Sequence, residues 1–109
     1  MDDLTKDAMR LLCLLYKCYL ERRREGMDKD RAKYFGGSDD IHSSLLPKES
    51  FEDVDETCRE LSRAKAAVVQ YGDDVAIDVW ISDKAIVYME NRFKNGLVGV
   101  FDFLSKFIP

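Results

Sequence analysis

The sequence predicts an α+β domain: a three-helix core, a β-hairpin and a C-terminal helical extension. Three observations predict it. Within 38–64, two short amphipathic helical stretches are separated by Pro47. Within 66–81, two runs rich in β-branched residues flank the turn signal Gly72-Asp73-Asp74. From residue 82 onward a helical period returns and runs to the end of the sequence. At 109 residues the chain reads as one domain, 1–109, and its 46% hydrophobic content allows a small core.

The N-terminal helical segment covers 1–26, with the helix over 3–25. Leu4, Ala8, Leu11, Leu12, Leu15, Cys18 and Tyr19 recur at three- and four-residue steps and form one stripe. Leu14 and Tyr16 widen the apolar surface, which points to a helix with more than one neighbour. Arg22, Arg23 and Arg24 fall in the last turn, where cations suit the negative helix end, and Gly26 supplies the stop. The connector 27–37 admits two readings. Asp28 can cap one helical turn through Lys33, or 32–35 can run extended; in both, Tyr34 and Phe35 anchor it and Gly36-Gly37 ends it.

The helix-turn-helix stretch is 38–64. Ser38 is the expected cap of its first helix, with Asp39 and Asp40 in the first turn and Ile41, Leu45 and Leu46 facing inward. Pro47 marks the turn. Ser50-x-x-Asp53 resembles a capping box, with Asp in place of Glu. Phe51, Val54, Cys58 and Leu61 then share a buried face, while Glu52, Asp53, Glu56, Arg59, Glu60 and Arg63 face outward.

In the hairpin, 66–81, Val75, Ile77, Val79 and Ile81 alternate with Ala76, Asp78 and Trp80. One face is expected in the core, and the other carries Asp78 and Trp80. The C-terminal helical segment is 82–109. It is capped by Ser82 and buries Ile86, Met89 and Phe93, and Asn95-Gly96 kinks or breaks it. Beyond the break, Leu97, Val100, Phe101, Leu104, Phe107 and Ile108 lie on one side. These six are the candidate dimerisation residues, because so apolar a segment must be covered by the first helix, either within the chain or across a two-fold axis.

Charge and composition narrow the function. The net charge is −4, and it is unevenly distributed: residues 1–35 carry +2, residues 36–82 carry −7 and residues 83–109 carry +1. No apolar run reaches the roughly 18–20 residues of a membrane span, so a membrane protein is excluded and a cytoplasmic location is expected. Cys13, Cys18 and Cys58 are odd in number and form no CxxC pair. They read as small hydrophobes rather than disulfide partners or zinc ligands. The single histidine, His42, has no nucleophile beside it, Gly36-Gly37 lacks the spacing of a phosphate loop, and the acidic cluster at 49–60 lacks EF-hand spacing. No enzyme activity, cofactor or metal is expected. Trp80 reads as a sheet-packing residue.

The string Ile81-Ser82-Asp83-Lys84-Ala85-Ile86-Val87-Tyr88-Met89-Glu90 is similar to the "L-T-x-K-G-x-x-Y-L-E" pattern that begins the helix after the hairpin in many small bacterial regulators. Together with Ile41 and Leu45 before the turn and Phe51, Val54 and Cys58-Arg59-Glu60-Leu61 after it, the stretch 38–92 resembles the winged helix-turn-helix family. It is most similar to small bacterial and phage winged-helix proteins of the YjcQ-like kind. The resemblance covers about half the chain and bears on fold rather than chemistry.

The resemblance implies a dimeric transcriptional regulator that binds double-stranded DNA, with the helix after the turn in the major groove. Here that helix offers Glu52, Asp53 and Glu56 at its start, and the hairpin tip adds Asp73 and Asp74. The candidate phosphate contacts are therefore Arg22, Arg23, Arg24, Lys29, Arg31, Lys33 and Lys48, with Arg59 and Arg63 late in the helix. The competing expectation is a protein-interaction module, an adaptor or DNA mimic, whose acidic face meets a basic protein. Placement of the cations discriminates. If the N-terminal group shares a surface with Arg59 and Arg63, DNA binding gains; if carboxylates interrupt that surface, the interaction module gains.

Overall fold

The computed structural model describes residues 1–107. The first helix, α1 (Lys6–Arg24), begins three residues later than the start at residue 3 expected from the sequence. Thr5 is its cap and accepts the Ala8 N–H at 3.2 Å. Glu60 in turn accepts the Thr5 N–H at 2.8 Å and the Thr5 hydroxyl at 2.7 Å, which ties the start of α1 to a later helix. Leu11, Leu12, Cys13 and Leu15 are fully buried, and Tyr16 nearly so. The two-sided apolar surface is used as expected: α1 packs on α4 (Phe51–Arg63), α5 (Asp83–Arg92) and α6 (Leu97–Ser105).

Both readings of the connector are realised in succession. Asp28 caps a single turn, α2 (Lys29–Ala32), by accepting the Arg31 N–H at 3.1 Å. The chain then extends, and Tyr34 forms a bridge with Trp80. Phe35 N–H donates to Val79 O at 2.9 Å, Val79 N–H to Gly36 O at 2.7 Å and Ile81 N–H to Lys33 O at 3.0 Å.

The helix before the turn, α3 (Ser38–Leu45), corrects one expectation. Its cap is Gly37, whose N–H donates to Asp40 at 3.0 Å; Ser38 is already inside the helix and fully buried. Ser50 caps α4 as expected, accepting the Asp53 N–H at 3.1 Å. Val54, Cys58 and Leu61 fill the core, as does Ile41 from α3. Phe51 is only half-buried and meets the edge of His42 at 6.3 Å.

A Schellman turn ends α4: Ala66 N–H donates to Leu61 O at 2.8 Å and Lys65 N–H to Ser62 O at 3.1 Å. It forces Lys65 to φ = 64°, a region that costs a residue with a Cβ. Lys65→Gly is therefore expected to raise the unfolding free energy by about 0.5–1 kcal/mol, read as a higher denaturant midpoint at unchanged slope.

The strands β1 (Ala67–Gly72) and β2 (Val75–Ile81) pair antiparallel, from Ala67 opposite Ile81 to Gly72 opposite Val75. Asp73 and Asp74 form the two-residue turn with φ of 51° and 64°, the primed geometry that matches strand twist. Strict alternation along β2 does not hold. The register shifts between Gln70, opposite Asp78, and Tyr71, opposite Ala76, so Ile77 is an extra, bulged residue. Val79 and Ile81 are buried as expected, but past the bulge Ala76 takes the core face and Ile77 is turned outward.

Ser82 caps α5, accepting the Ala85 N–H at 3.0 Å and donating to Lys65 O at 2.7 Å. Gly96, at φ = 62°, breaks the chain between α5 and α6, as Asn95-Gly96 implied. The segment α6 lies on α1 of its own chain with Val100 fully buried. Phe103 stands edge-on to Phe93 at 5.7 Å. Among the described residues no helix is long and apolar enough to cross a membrane.

Candidate functional site

The helices α3 and α4 and the hairpin are joined by one buried polar cluster centred on Asp55, which the sequence reading did not single out. Asp55 accepts the Ser38 hydroxyl at 2.7 Å, the Ala76 N–H at 2.9 Å and the Arg59 Nε–H at 3.0 Å. Ser38 thus belongs to a tertiary contact rather than a cap. Burial pushes the Asp55 carboxyl up, but the Ala76 amide, the Ser38 hydroxyl and the Arg59 guanidinium outweigh it, and the group lies below its ordinary value. The sequence did hold one signal, the i,i+4 spacing of Asp55 and Arg59. It could not show that the β-bulge brings the Ala76 amide onto the same carboxylate.

This cluster fixes Arg59. Its Nε is held by Asp55, its Nη2 donates to the Asp74 carbonyl oxygen at the hairpin tip, and its guanidinium lies 4.8 Å from the Tyr71 ring centre. Arg63 pairs with Glu56 at 2.9 Å. Both cations of α4 therefore already have partners. On the same elements Asp39, Glu52, Asp53, Asp73 and Asp74 are exposed, and no ion pair reaches their carboxylates among the described residues.

The remaining candidate cations lie elsewhere. Arg22 donates through Nη1 to the carbonyl oxygens of Ala32 at 3.2 Å and Tyr34 at 2.7 Å, and it covers the Phe35 ring at 4.5 Å. Arg23 donates to Met27 O at 2.9 Å. Lys33 pairs with Asp83 at 2.6 Å, and the Asp83 hydrogen bond raises the Lys33 pKa while lowering its own. Arg24, Lys29 and Arg31 are exposed on and beside the connector, and Lys48 is exposed in the α3–α4 turn.

Sheet geometry separates these groups. Residues opposite each other across a strand pair share a face. Val68 with Trp80 and Gln70 with Asp78 form the outer face, which Arg22 and Arg31 border. Tyr71 with Ala76 belongs to the helix side, where Arg59 stacks. Arg22 and Arg31 are thus on one side of the sheet and Arg59 on the other, so the nine candidate cations do not form one surface.

Of the candidate dimerisation residues, Val100 is enclosed by its own chain and Leu97, Leu104 and Phe107 are half-buried. Phe101 is 52% exposed, with Lys17 stacked on it at 4.8 Å. Ile108 lies outside the described residues. The cysteines are held as thiols: burial pushes Cys13 up to about 11 and Cys58 up to about 12, and it raises Cys18 as well. Trp80 is on the outer face rather than in the core, packed against Tyr34.

No family model, curated protein or solved structure matches the chain.

Proposed function

We propose that this chain is a winged helix-turn-helix domain acting as a protein-interaction module, which presents the acidic face of α3, α4 and the hairpin to a basic protein partner. The element order supports the fold reading. A long helix, an extended segment at Tyr34, two helices around a turn and a two-stranded hairpin follow in sequence, with β2 between β1 and the Tyr34 segment. One observation carries the function: Arg59 and Arg63 are engaged within the chain, while Glu52, Asp53, Asp73 and Asp74 form no ion pair among the described residues and stand on the surface that a DNA-binding winged helix would turn to phosphates. A carboxylate about 4 Å from a phosphate costs roughly 1 kcal/mol even in water, and tight duplex binding requires several phosphates to be neutralised. The three free thiols support a reducing, cytoplasmic setting.

The second reading is a DNA-binding regulator. It draws on Arg24, Lys29, Arg31 and Lys48, which are exposed and carry no ion pair among the described residues. One experiment separates the two: anisotropy titrations of a Lys/Arg-rich peptide and of random-sequence duplex DNA across a salt series. The peptide is expected to bind in a salt-sensitive way. Combining Glu52→Gln, Asp53→Asn, Asp73→Asn and Asp74→Asn should weaken it by about 10-fold, from a few tenths of a kcal/mol per lost charge. The same change at Asp3, Asp7, Glu90 and Asp102 should leave it within about 2-fold. Low-salt DNA binding that disappears when Arg24, Lys29 and Arg31 become Ala would replace this proposal with the regulator.

A further inference from the structure

The outer face of the sheet holds a groove that neither the core nor the acidic face uses. It is broad and open to solvent, with a volume of about 810 Å3, within the roughly 300–1,000 Å3 typical of small-molecule sites. Tyr34 and Trp80 supply an aromatic floor, with ring centroids 5.1 Å apart and planes tilted by 44°. Tyr34 is 39% exposed and Trp80 half-buried, so ring surface is left to the groove. Among the described residues neither the Trp80 indole N–H nor the Gln70 amide has a hydrogen-bond partner.

Charges of both signs surround that floor. Asp78 accepts the Tyr34 hydroxyl at 2.5 Å. The phenol orients the carboxylate without neutralising it. Asp30 and Arg31 form no ion pair among the described residues, and Arg22 is held in place by two carbonyl oxygens rather than by an acid. An adjoining hollow of about 270 Å3 shares Asp30 and Trp80 but contains Lys33 and Asp83, which neutralise each other at 2.6 Å. Asp30 and Trp80 line both hollows, whereas Tyr34, Asp78, Arg22 and Arg31 border the larger groove alone.

Two carboxylates and two guanidinium groups sum to zero. A simple cation would be attracted to Asp30 and Asp78 and repelled by Arg22 and Arg31, and a phosphate dianion would meet the reverse. A molecule carrying an aromatic ring, one cation and one anion avoids both penalties. We propose that the groove binds a free aromatic α-amino acid. Its ring lies on Tyr34 and Trp80, its ammonium meets Asp78 and Asp30, and its carboxylate meets Arg31. This site is independent of the acidic face and stands or falls separately from it.

Trp80 is the only tryptophan, so its indole N–H gives a single reporter resonance. The full chain would be titrated with L-phenylalanine, 3-phenylpropionate, which lacks the ammonium, and phenethylamine, which lacks the carboxylate. L-phenylalanine is expected to shift the Trp80 resonance saturably and to bind at least about 10-fold more tightly than either analogue, the scale of one charge-assisted contact. Arg31→Ala should erase its advantage over phenethylamine, and Asp78→Asn its advantage over phenylpropionate. Asp30→Asn serves in place of the latter should the Tyr34 contact be disturbed. No saturable shift would overturn the proposal. Equal binding of the three ligands, or tighter binding of a nucleoside monophosphate, would overturn it as well.

Discussion

Asp55→Ala should lower the unfolding free energy by about 2–4 kcal/mol, which for a chain of this size is a fall in Tm of roughly 10–20 °C. The side chain is only 11% exposed and receives three donors from three different elements. Deleting it leaves the Ser38 hydroxyl and the Ala76 N–H without their carboxylate and strands Arg59. Arg59 is 30% exposed and can regain water, which keeps the cost at the lower end of the range for a broken buried ion pair. The loss should be felt beyond α4, because Arg59 also holds the Asp74 carbonyl oxygen and stacks on Tyr71. Hydrogen exchange is the suitable readout: amides of the Gly72–Val75 turn should lose protection more than those of α1.

The same carboxylate sets a pH dependence. Its folded pKa is depressed below the ordinary 3.8, so its contribution is complete above the unfolded carboxyl's pKa and is lost as pH falls below that value. Stability should therefore decline on acidification, and Asp55→Asn should flatten that decline while lowering the plateau at neutral pH. Asparagine can still accept from Ser38 and Ala76, but it offers Arg59 no charge. Asp83 is depressed too, through Lys33, so part of the acid slope should survive in the variant. An acid slope unchanged by Asp55→Asn would place the titration elsewhere.

Local signals were legible where one segment decides its own structure. Ser50 and Ser82 cap helices, Gly96 breaks one, and Gly72-Asp73-Asp74 turns the hairpin, all from short-range chemistry. The misreadings involve partners distant in sequence. Ser38 looks like a cap because Asp39 and Asp40 follow it, yet its hydroxyl is claimed by Asp55, seventeen residues on. Ile77 looks like a core residue because alternation runs through it, and only the offset against Gln70 and Tyr71 turns it out. The connector reads as either a helical turn or an extended run for the same reason: the extended part at Tyr34 is fixed by pairing with β2, far along the chain. The candidate site has the same limit. The types and numbers of the cations were visible, but whether Arg22 and Arg59 share a face depends on which side of the sheet each flanks.

Ending the chain at Asn95 is expected to cost about 3–5 kcal/mol, on the scale of losing more than one large apolar side chain from a core. Val100 is fully buried, and Phe103 and Leu104 pack against the core cluster. Arg92 stacks on Phe103 at 4.8 Å and Lys17 on Phe101 at the same distance, so α6 is joined to both α5 and α1. Removing it would uncover apolar surface on α1, and the truncated chain should unfold at lower denaturant and tend to self-associate. Val100→Ala isolates the buried component and should cost about 1–2 kcal/mol without changing the oligomeric state. Val98 and Phe101 are more than half exposed, so replacing both by Ser should leave folding stability within about 0.5 kcal/mol. A full-length chain and a chain ending at Asn95 with equal denaturant midpoints would refute the role of α6 as part of its own chain's core.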